Sequence, residues 1–186
     1  MNTQMMTYTG EMFDPLNPDP ELVRIEDIAH ALALTNRYNG HTKFPYSVAQ
    51  HCVRMAQPDM PGDMLMSLLH DAAEAYVGDM VHPLKRGTFF VGAGSFAEIE
   101  EVVLYNIFEG LGLNYTRYCN VKVETKRADR IMLATEVRTL VTGDLAYFDG
   151  YVKGEKPLNE TIGPWDWETA EQAYLTRFYE LEGVRT

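Results

Sequence analysis

The segment LLHDAAEAYVGD, residues 68–79, places ionisable side chains inside an apolar, alanine-rich run. His70 and Asp71 are adjacent, Glu74 follows one turn later, and Asp79 lies just beyond it. Residues three and four apart share a helix face, so Glu74 is expected to point the same way as Asp71 and His70. Burying several ionisable groups costs free energy unless they are paired or bind a cation. A divalent cation would offset that cost, provided that further ligands come from elsewhere in the chain.

Two other side chains are candidates to complete such a site. His51 lies in SVAQHCV among apolar neighbours, and Asp129 lies in KRADRIMLATE just before the apolar run 131–133. With His70 and Asp71 they would form a mixed nitrogen and oxygen site. Such a site suits zinc, cobalt, manganese, iron or magnesium, and it leaves coordination positions open for water and substrate.

These residues also have ordinary structural interpretations. A single histidine on an apolar face is more often a hydrogen-bonded core residue than a metal ligand. Asp129 could pair with a cation of its own helix, namely Lys126, Arg127 or Arg130. Asp79 could belong to a simple turn. Spacing alone leaves these alternatives open.

Helices must position the candidate ligands. Apolar periodicity and end signals predict helices at residues 25–34, 46–56, 63–77, 96–111, 122–141 and 167–181. In the second helix, Ser47 and Gln50 have the spacing of a capping box. Gly78 is expected to end the third helix.

The remaining segments contain turn signals. Residues 1–22, with three prolines, indicate an extended lead-in, and a small hairpin is expected near residues 88–91 or 146–152. No repeat, low-complexity run or linker divides the chain. The sequence therefore predicts a single all-α domain over residues 1–186.

Composition excludes several functional classes. The net charge is −11, which disfavours binding to duplex nucleic acid or to a membrane surface. The apolar runs are shorter than the ~20 residues that a bilayer span needs, and the N-terminus lacks the features of a signal peptide. The two cysteines, Cys52 and Cys119, fit a reducing compartment, so a cytoplasmic location is expected.

The segment GAGSFA, residues 92–97, matches a dinucleotide-binding fingerprint and suggests a second class of function. That fingerprint also requires a surrounding βαβ unit and an acidic residue about 20 positions further on. Neither feature is present, so the segment is interpreted as a flexible glycine loop before a helix.

The order of His51, the His70-Asp71 pair and Asp129 resembles the H…HD…D signature of the HD-domain metal-dependent phosphohydrolases. IEDIAHALA, NRYNGH, YSVAQH and LLHDAAEAYVGDMVHPLK resemble the small bacterial and phage branch, which contains 5′-deoxynucleotidases and phage dATP triphosphohydrolases. The resemblance covers roughly residues 24–140. It implies a single HD-domain helical bundle with a metal site between core helices. His82, in MVHPLK, departs from the pattern and bears on substrate detail.

The resemblance also implies roles for individual residues. Its metal-ligand positions correspond here to His51, His70, Asp71 and Asp129. They would hold one catalytic divalent ion, expected to be zinc, cobalt or manganese, and a magnesium ion could accompany the substrate phosphates. Glu74, outside that set, is the candidate to orient or deprotonate the attacking water. Asp79 resembles a second family carboxylate.

Cations and one aromatic residue are expected to contact the substrate. Arg37 and Lys85 occupy positions that resemble the phosphate-contacting ones of the family. His41 and Lys43 could add to that pocket or be solvated loop residues. Tyr38 could border the base or serve only in packing.

The expected function is hydrolysis of the 5′ phosphoester bond of a small-molecule deoxynucleotide. The cations near the site, Arg37, Lys43, Lys85 and Arg86, favour a triphosphohydrolase, and the resemblance to the phage enzymes implies dATP as its preferred substrate. The alternative is a 5′-deoxynucleotidase acting on monophosphates, and a third class is a non-catalytic nucleotide-sensing module. Relatives form dimers or hexamers, so a homo-oligomer is possible. The compartment would be a bacterial cytoplasm, or the host cytoplasm for a phage-encoded protein.

Overall fold

Helices form most of the chain in the computed structural model, which describes residues 3–85, 87–90 and 94–183, except the side chain of Phe89. In chain order, the helices are α1 (Ile25–Leu34), α2 (Val48–Met55), α3 (Met64–Leu69), α4 (Glu74–Val77), α5 (His82–Lys85), α6 (Phe96–Gly110), α7 (Tyr115–Leu140), α8 (Asp149–Val152) and α9 (Trp167–Gly183). Short 3-10 turns cover Pro20–Leu22, Arg37–Gly40 and Leu145–Phe148. The fold is an all-α bundle, as the sequence predicts. Among the described helices, none is both long and apolar enough to cross a bilayer.

The core lies between α1, α2, α3 and α9. Their apolar faces bury large side chains completely, among them Leu32, Leu68 and Tyr174. A second apolar cluster around Tyr46, Met132 and other buried residues lies where α2 meets the C-terminal half of α7. Helices of this length depend on such packing for most of their stability. The packing fixes the orientation of α2, α3 and α7, which carry the candidate ligands.

The second helix begins as predicted, but its capping box is incomplete. The Ser47 side chain accepts a hydrogen bond from the Gln50 backbone N–H, at 3.1 Å. The Gln50 side chain does not return to the cap. Its amide instead donates to the carbonyl of Gly163, at 2.8 Å, and ties the loop before α9 to α2. The Gln50 side chain thus bonds to a residue distant in the chain rather than to the helix cap.

The predicted continuous helix over residues 63–77 is wrong, because the chain turns between α3 and α4. There the backbone uses tighter i to i−3 hydrogen bonds, from Ala72 N–H to Leu69 O and from Glu74 N–H to Asp71 O, both 3.0 Å. The turn begins directly after the last residue of α3, and His70 and Asp71 lie in it. Gly78 ends α4 as predicted, with a φ of +80°.

The long seventh helix begins earlier than predicted. It starts at Tyr115 rather than at residue 122, because the Asn114 side chain caps it by accepting from the Arg117 N–H, at 3.3 Å. The segment 115–121 has weak apolar periodicity, which hid this first part of the helix. The extension adds two turns at the N-terminal end of α7, near α6.

Two small hairpins complete the fold. In the N-terminal lead-in, Met5–Met6 (β1) pairs antiparallel with Met12–Phe13 (β2), and Phe89–Phe90 (β3) pairs with Gly94–Ser95 (β4). The second confirms the hairpin expected near residues 88–91. The alternative hairpin at 146–152 is wrong, since Asp144 caps a helical turn there. Residues 86 and 91–93, which include Arg86 and part of the glycine loop, lie outside the described residues.

Candidate metal centre

The four predicted ligands converge from three helices on one small region. His51 comes from α2, the His70-Asp71 pair follows α3, and Asp129 comes from α7. The Nε2 atom of His51 lies 3.5 Å from Asp129 Oδ1 and 3.8 Å from Asp71 Oδ2, and His70 Nε2 lies 3.0 Å from Asp71 Oδ2. Candidate ligand atoms of His51, His70 and Asp129 all lie within 4.8 Å of one another.

These separations fit a shared divalent ion. Ligand atoms bound at about 2.1 Å lie about 3.0 Å apart at right angles and about 3.4 Å apart in a tetrahedron. The Nε2 atoms of His51 and His70 are buried and have no hydrogen-bond partner among the described residues. Buried polar atoms are normally satisfied, so two imidazole nitrogens that face carboxylates without an aligned hydrogen bond suit a cation. The donor set fits zinc, cobalt, manganese or iron.

Both imidazoles are oriented through their other nitrogen. Nδ1 of His51 lies 2.5 Å from Oε1 of Glu136, and Nδ1 of His70 lies 2.7 Å from the carbonyl of Ser67. A carboxylate and a carbonyl can only accept, so each Nδ1 donates and each Nε2 presents its lone pair to the cluster. This arrangement of an acceptor behind each histidine is typical of metal sites.

Glu136 is a buried residue of the site that the sequence analysis did not identify. It accepts hydrogen bonds from the hydroxyls of Tyr38 and Tyr46, at 2.6 and 3.0 Å, as well as from His51. Burial opposes its ionisation, but Arg37, His51 and these donors hold the pKa of Glu136 at about 2. Glu136 lies two turns after Asp129 on the same face of α7, and that spacing could have identified it.

The structure gives other partners to two of the three cations that could have paired with Asp129. The neighbouring cations of α7 turn elsewhere: Arg127 and Arg130 lie 3.1 and 3.9 Å from Glu155. Asp129 instead faces His51 and lies 3.9 Å from Arg37. Pairing with Arg127 or Arg130 therefore does not explain this carboxylate.

Arg37 lies among the carboxylates of the cluster. Its guanidinium is 3.4 Å from Asp71 and 3.3 Å from Glu136, in addition to the contact with Asp129. Burial opposes ionisation of Asp71, but His70, His51 and Arg37 hold the pKa of its carboxyl well below the ordinary value. A mostly buried arginine thus balances the negative charge of the site.

The other predicted substrate contacts near Arg37 are less close to the cluster. Tyr38 points its hydroxyl at Glu136, which favours a packing role for the ring. His41 is exposed, and the Lys43 ammonium donates to the carbonyl of Thr139 at 3.0 Å. Neither His41 nor Lys43 lines the cavity described next.

A cavity of about 270 Å³ opens beside the cluster between α6 and α7. Its charged lining residues are His70, Asp71, Glu74, Lys85, Glu100, Glu101, Lys122, Lys126 and Asp129. Lys85 pairs with Glu100 at 2.7 Å. The cavity therefore combines three of the four candidate ligands with three lysines, of which Lys122 and Lys126 were not among the predicted substrate contacts.

Glu74 is a buried carboxylate whose Oε2 has no hydrogen-bond partner among the described residues. Burial raises the pKa of Glu74 well above its ordinary value, and the nearby carboxylates of Asp71 and Asp79 act in the same direction. Asp79 is half-buried and does not belong to the cavity lining. Among the described residues, Glu74 is thus a carboxylate next to the cluster without a direct ion-pair partner.

Cys52 is also near, with its Sγ 4.0 Å from Nδ1 of His70. It faces the side of the ring that is turned to Ser67, and burial raises the pKa of its thiol to about 11. Because the His70 nitrogen next to Cys52 already donates to the Ser67 carbonyl, this thiol lies on the other side of the ring from Nε2 and the predicted ligand set.

The sequence is similar to two bacterial proteins. It is 36% identical over 144 residues to the uncharacterized Escherichia coli K12 protein YfdR, a match that covers 76% of this chain and 75% of YfdR. It is 33% identical over 142 residues to an uncharacterized protein of Rhodobacter capsulatus, covering 71% of this chain and 70% of that protein. No protein-family model matches the sequence.

Proposed function

The chain belongs to the protein family that includes Escherichia coli YfdR, and we propose that it is a metal-dependent phosphohydrolase of the HD-domain type. Its reaction is hydrolysis of the 5′ phosphoester bond of deoxynucleotides. The observation that carries the proposal is the convergence of two buried, unpartnered imidazole nitrogens on two carboxylates beside a charged cavity.

His51, His70, Asp71 and Asp129 would hold the ion. A divalent ion bound there lowers the pKa of a water molecule towards neutrality and polarises a phosphoryl oxygen. The protein's own contribution is orientation, because Glu136 and the Ser67 carbonyl fix the tautomers of both histidines. Arg37, already beside two of the carboxylates, can contact a phosphate with its planar guanidinium.

Glu74 is the proposed acceptor of the proton from the attacking water. It lies next to the ligand set, lines the cavity and has a free carboxylate oxygen. Water adds to the α-phosphorus, the bond from phosphorus to the 5′ oxygen breaks, and that oxygen takes up a proton as the deoxynucleoside leaves. Asp79 is proposed to assist the departure of the 5′ oxygen.

The lysines of the cavity favour a substrate with a chain of phosphates. Lys126 and Lys122 lie one and two turns before Asp129, about 5 and 10 Å along the helix axis. Lys85 and Lys122 pair with Glu100 and Glu101, at 2.7 and 2.8 Å, and with Lys126 they place three ammonium groups in the cavity lining. We therefore propose a triphosphohydrolase with dATP as the preferred substrate, and a monophosphate-specific 5′-deoxynucleotidase is the second candidate.

Product analysis is the direct test of this proposal. Incubating the protein with dATP or with dAMP, in the presence of manganese, cobalt or magnesium, is expected to give deoxyadenosine and free triphosphate from dATP. Phosphorus NMR identifies triphosphate without ambiguity. Release of phosphate from dAMP but no reaction with dATP would favour the second candidate, a 5′-deoxynucleotidase. No turnover with any nucleotide and metal would support a non-catalytic nucleotide-sensing module.

Replacing Glu136 by glutamine is expected to lower metal affinity by about 10- to 100-fold, the usual effect of losing an outer partner of a ligand. The amide no longer provides a carboxylate to orient His51 and to balance Arg37. Titration calorimetry with manganese measures the change. Glu160→Gln is the matched control, since Glu160 is exposed and pairs with Arg54, at 3.1 Å. Equal affinities of the Glu136→Gln and wild-type proteins would contradict the proposed role.

A further inference from the structure

We propose that His82, Tyr147 and Tyr151 form the surface on which the nucleobase of the substrate stacks, an inference that rests on the proposed nucleotide hydrolysis. These three residues are called the aromatic surface below. In the sequence, His82 departs from the pattern of the HD-domain family, and it is not one of the candidate metal ligands.

The aromatic surface joins two short helices. The His82 ring of α5 meets the Tyr151 ring of α8 edge to face, with centroids 5.2 Å apart. Tyr147, in the 3-10 turn just before α8, lies 5.8 Å from Tyr151 at an interplanar angle of 40°. Tyr147 is 61% exposed, which is high for a large ring that touches other aromatic rings.

Both short helices are connected to elements that line the cavity. On α5, Lys85 lines the cavity beside the cluster, and His82 lies one turn before it. The segment with Tyr147 and Tyr151 packs on α7, and just beyond it Glu155 pairs with Arg127, two residues before Asp129. Contacts on both sides thus connect the aromatic surface to α5 and α7, two helices that also carry residues of the cavity.

Helix α5 carries a cation at one end and an aromatic ring at the other, as a nucleotide carries phosphates at one end and a base at the other. Lys85 faces the cavity, where Lys122 and Lys126 supply further charge for phosphates. His82 contacts the half-buried ring of Tyr151, and the neighbouring Tyr147 ring is largely exposed. Heterocyclic bases stack on such rings with little dependence on hydrogen bonding. This geometry assigns the phosphates to the cavity and the base to the aromatic surface.

The test compares ligands that differ in the base. Affinities for dATP, dAMP and the base-free probe 2-deoxyribose 5-phosphate are measured by titration calorimetry, in a Glu74→Gln background that suppresses turnover. Tyr151→Ala and Tyr147→Ala are expected to weaken nucleotide binding by about 5- to 100-fold, the range for losing one stacked base. Binding of the base-free probe is expected to be unchanged. Tyr151→Phe keeps the ring and should keep the affinity.

Controls separate stacking from general damage. Tyr179→Ala removes a comparably exposed tyrosine from α9, and it should bind all ligands as the parent protein does. If Tyr151→Ala loses its helical circular dichroism, Tyr147→Ala decides the question, because its ring is mainly solvent-exposed.

The stacking proposal would be refuted if Tyr147→Ala left the nucleotide affinities unchanged. It would also be refuted if the variant lowered the affinities for nucleotides and for the base-free probe equally. Neither result would contradict the proposed hydrolysis. Failure of the parent protein to bind any nucleotide would instead overturn both proposals.

Discussion

The Asp129→Ala protein is expected to fold normally, to lose its bound divalent ion and to show no hydrolysis of dATP. Asp129 supplies the oxygen 3.5 Å from Nε2 of His51, and without it α7 contributes no ligand. Losing an outer partner of a ligand already costs 10- to 100-fold in affinity, so losing the ligand itself should cost more than about 100-fold. The side chain is 42% exposed, so its removal should change the free energy of unfolding by less than about 0.5 kcal/mol.

Three measurements on the same preparation check this expectation: metal content after dialysis, circular dichroism on heating, and turnover of dATP. Glu124→Ala is the matched control, because it removes an exposed carboxylate from the same helix. His70→Ala should reproduce the loss from a second helix. Wild-type turnover that survives exhaustive chelation, or an Asp129→Ala protein with full metal content, would refute the ligand assignment.

Much of the arrangement around the candidate ligands could be predicted from the sequence, for a physical reason. His51, His70 and Asp129 each lie in or directly after a helix whose apolar face is clear. Once those faces bury themselves against a common core, the polar side chains interrupting them must meet. The convergence of the four side chains in the structure follows from that periodicity. Their role as metal ligands stays a prediction.

The outer part of the site was not predictable in the same way. Glu136 in TEVRTL resembles an ordinary solvated charge on a helix surface. Its burial depends on Tyr38, Tyr46 and Arg37, which lie about a hundred positions earlier in the chain. The turn between α3 and α4 was missed for a related reason. Its alanines favour a helix locally, and tertiary packing overrides that preference.

Glu74 combines the features of a proton acceptor with those of a destabilising group. It is buried, one of its oxygens has no hydrogen-bond partner among the described residues, and Asp71 and Asp79 add negative charge nearby. A fold optimised only for stability would not retain an unneutralised carboxylate there. Stability is commonly sacrificed in this way at sites that need a poised ionisable group.

Replacing Glu74 by glutamine should therefore move activity and stability in opposite directions. The rate of dATP hydrolysis is expected to fall by about 10²–10⁴, the usual effect of removing a proton-transfer group, while the bound metal is retained. The metal-free protein should become more stable near neutral pH by about 1–2 kcal/mol, because on folding the buried Glu74 must either stay charged or take up a proton, and a neutral amide of equal size does neither. Turnover, metal content and thermal unfolding are measured against Glu109→Gln, which alters an exposed carboxylate at the end of α6. An unaffected rate would remove Glu74 from the mechanism, and a less stable protein would show that its carboxylate has a structural partner.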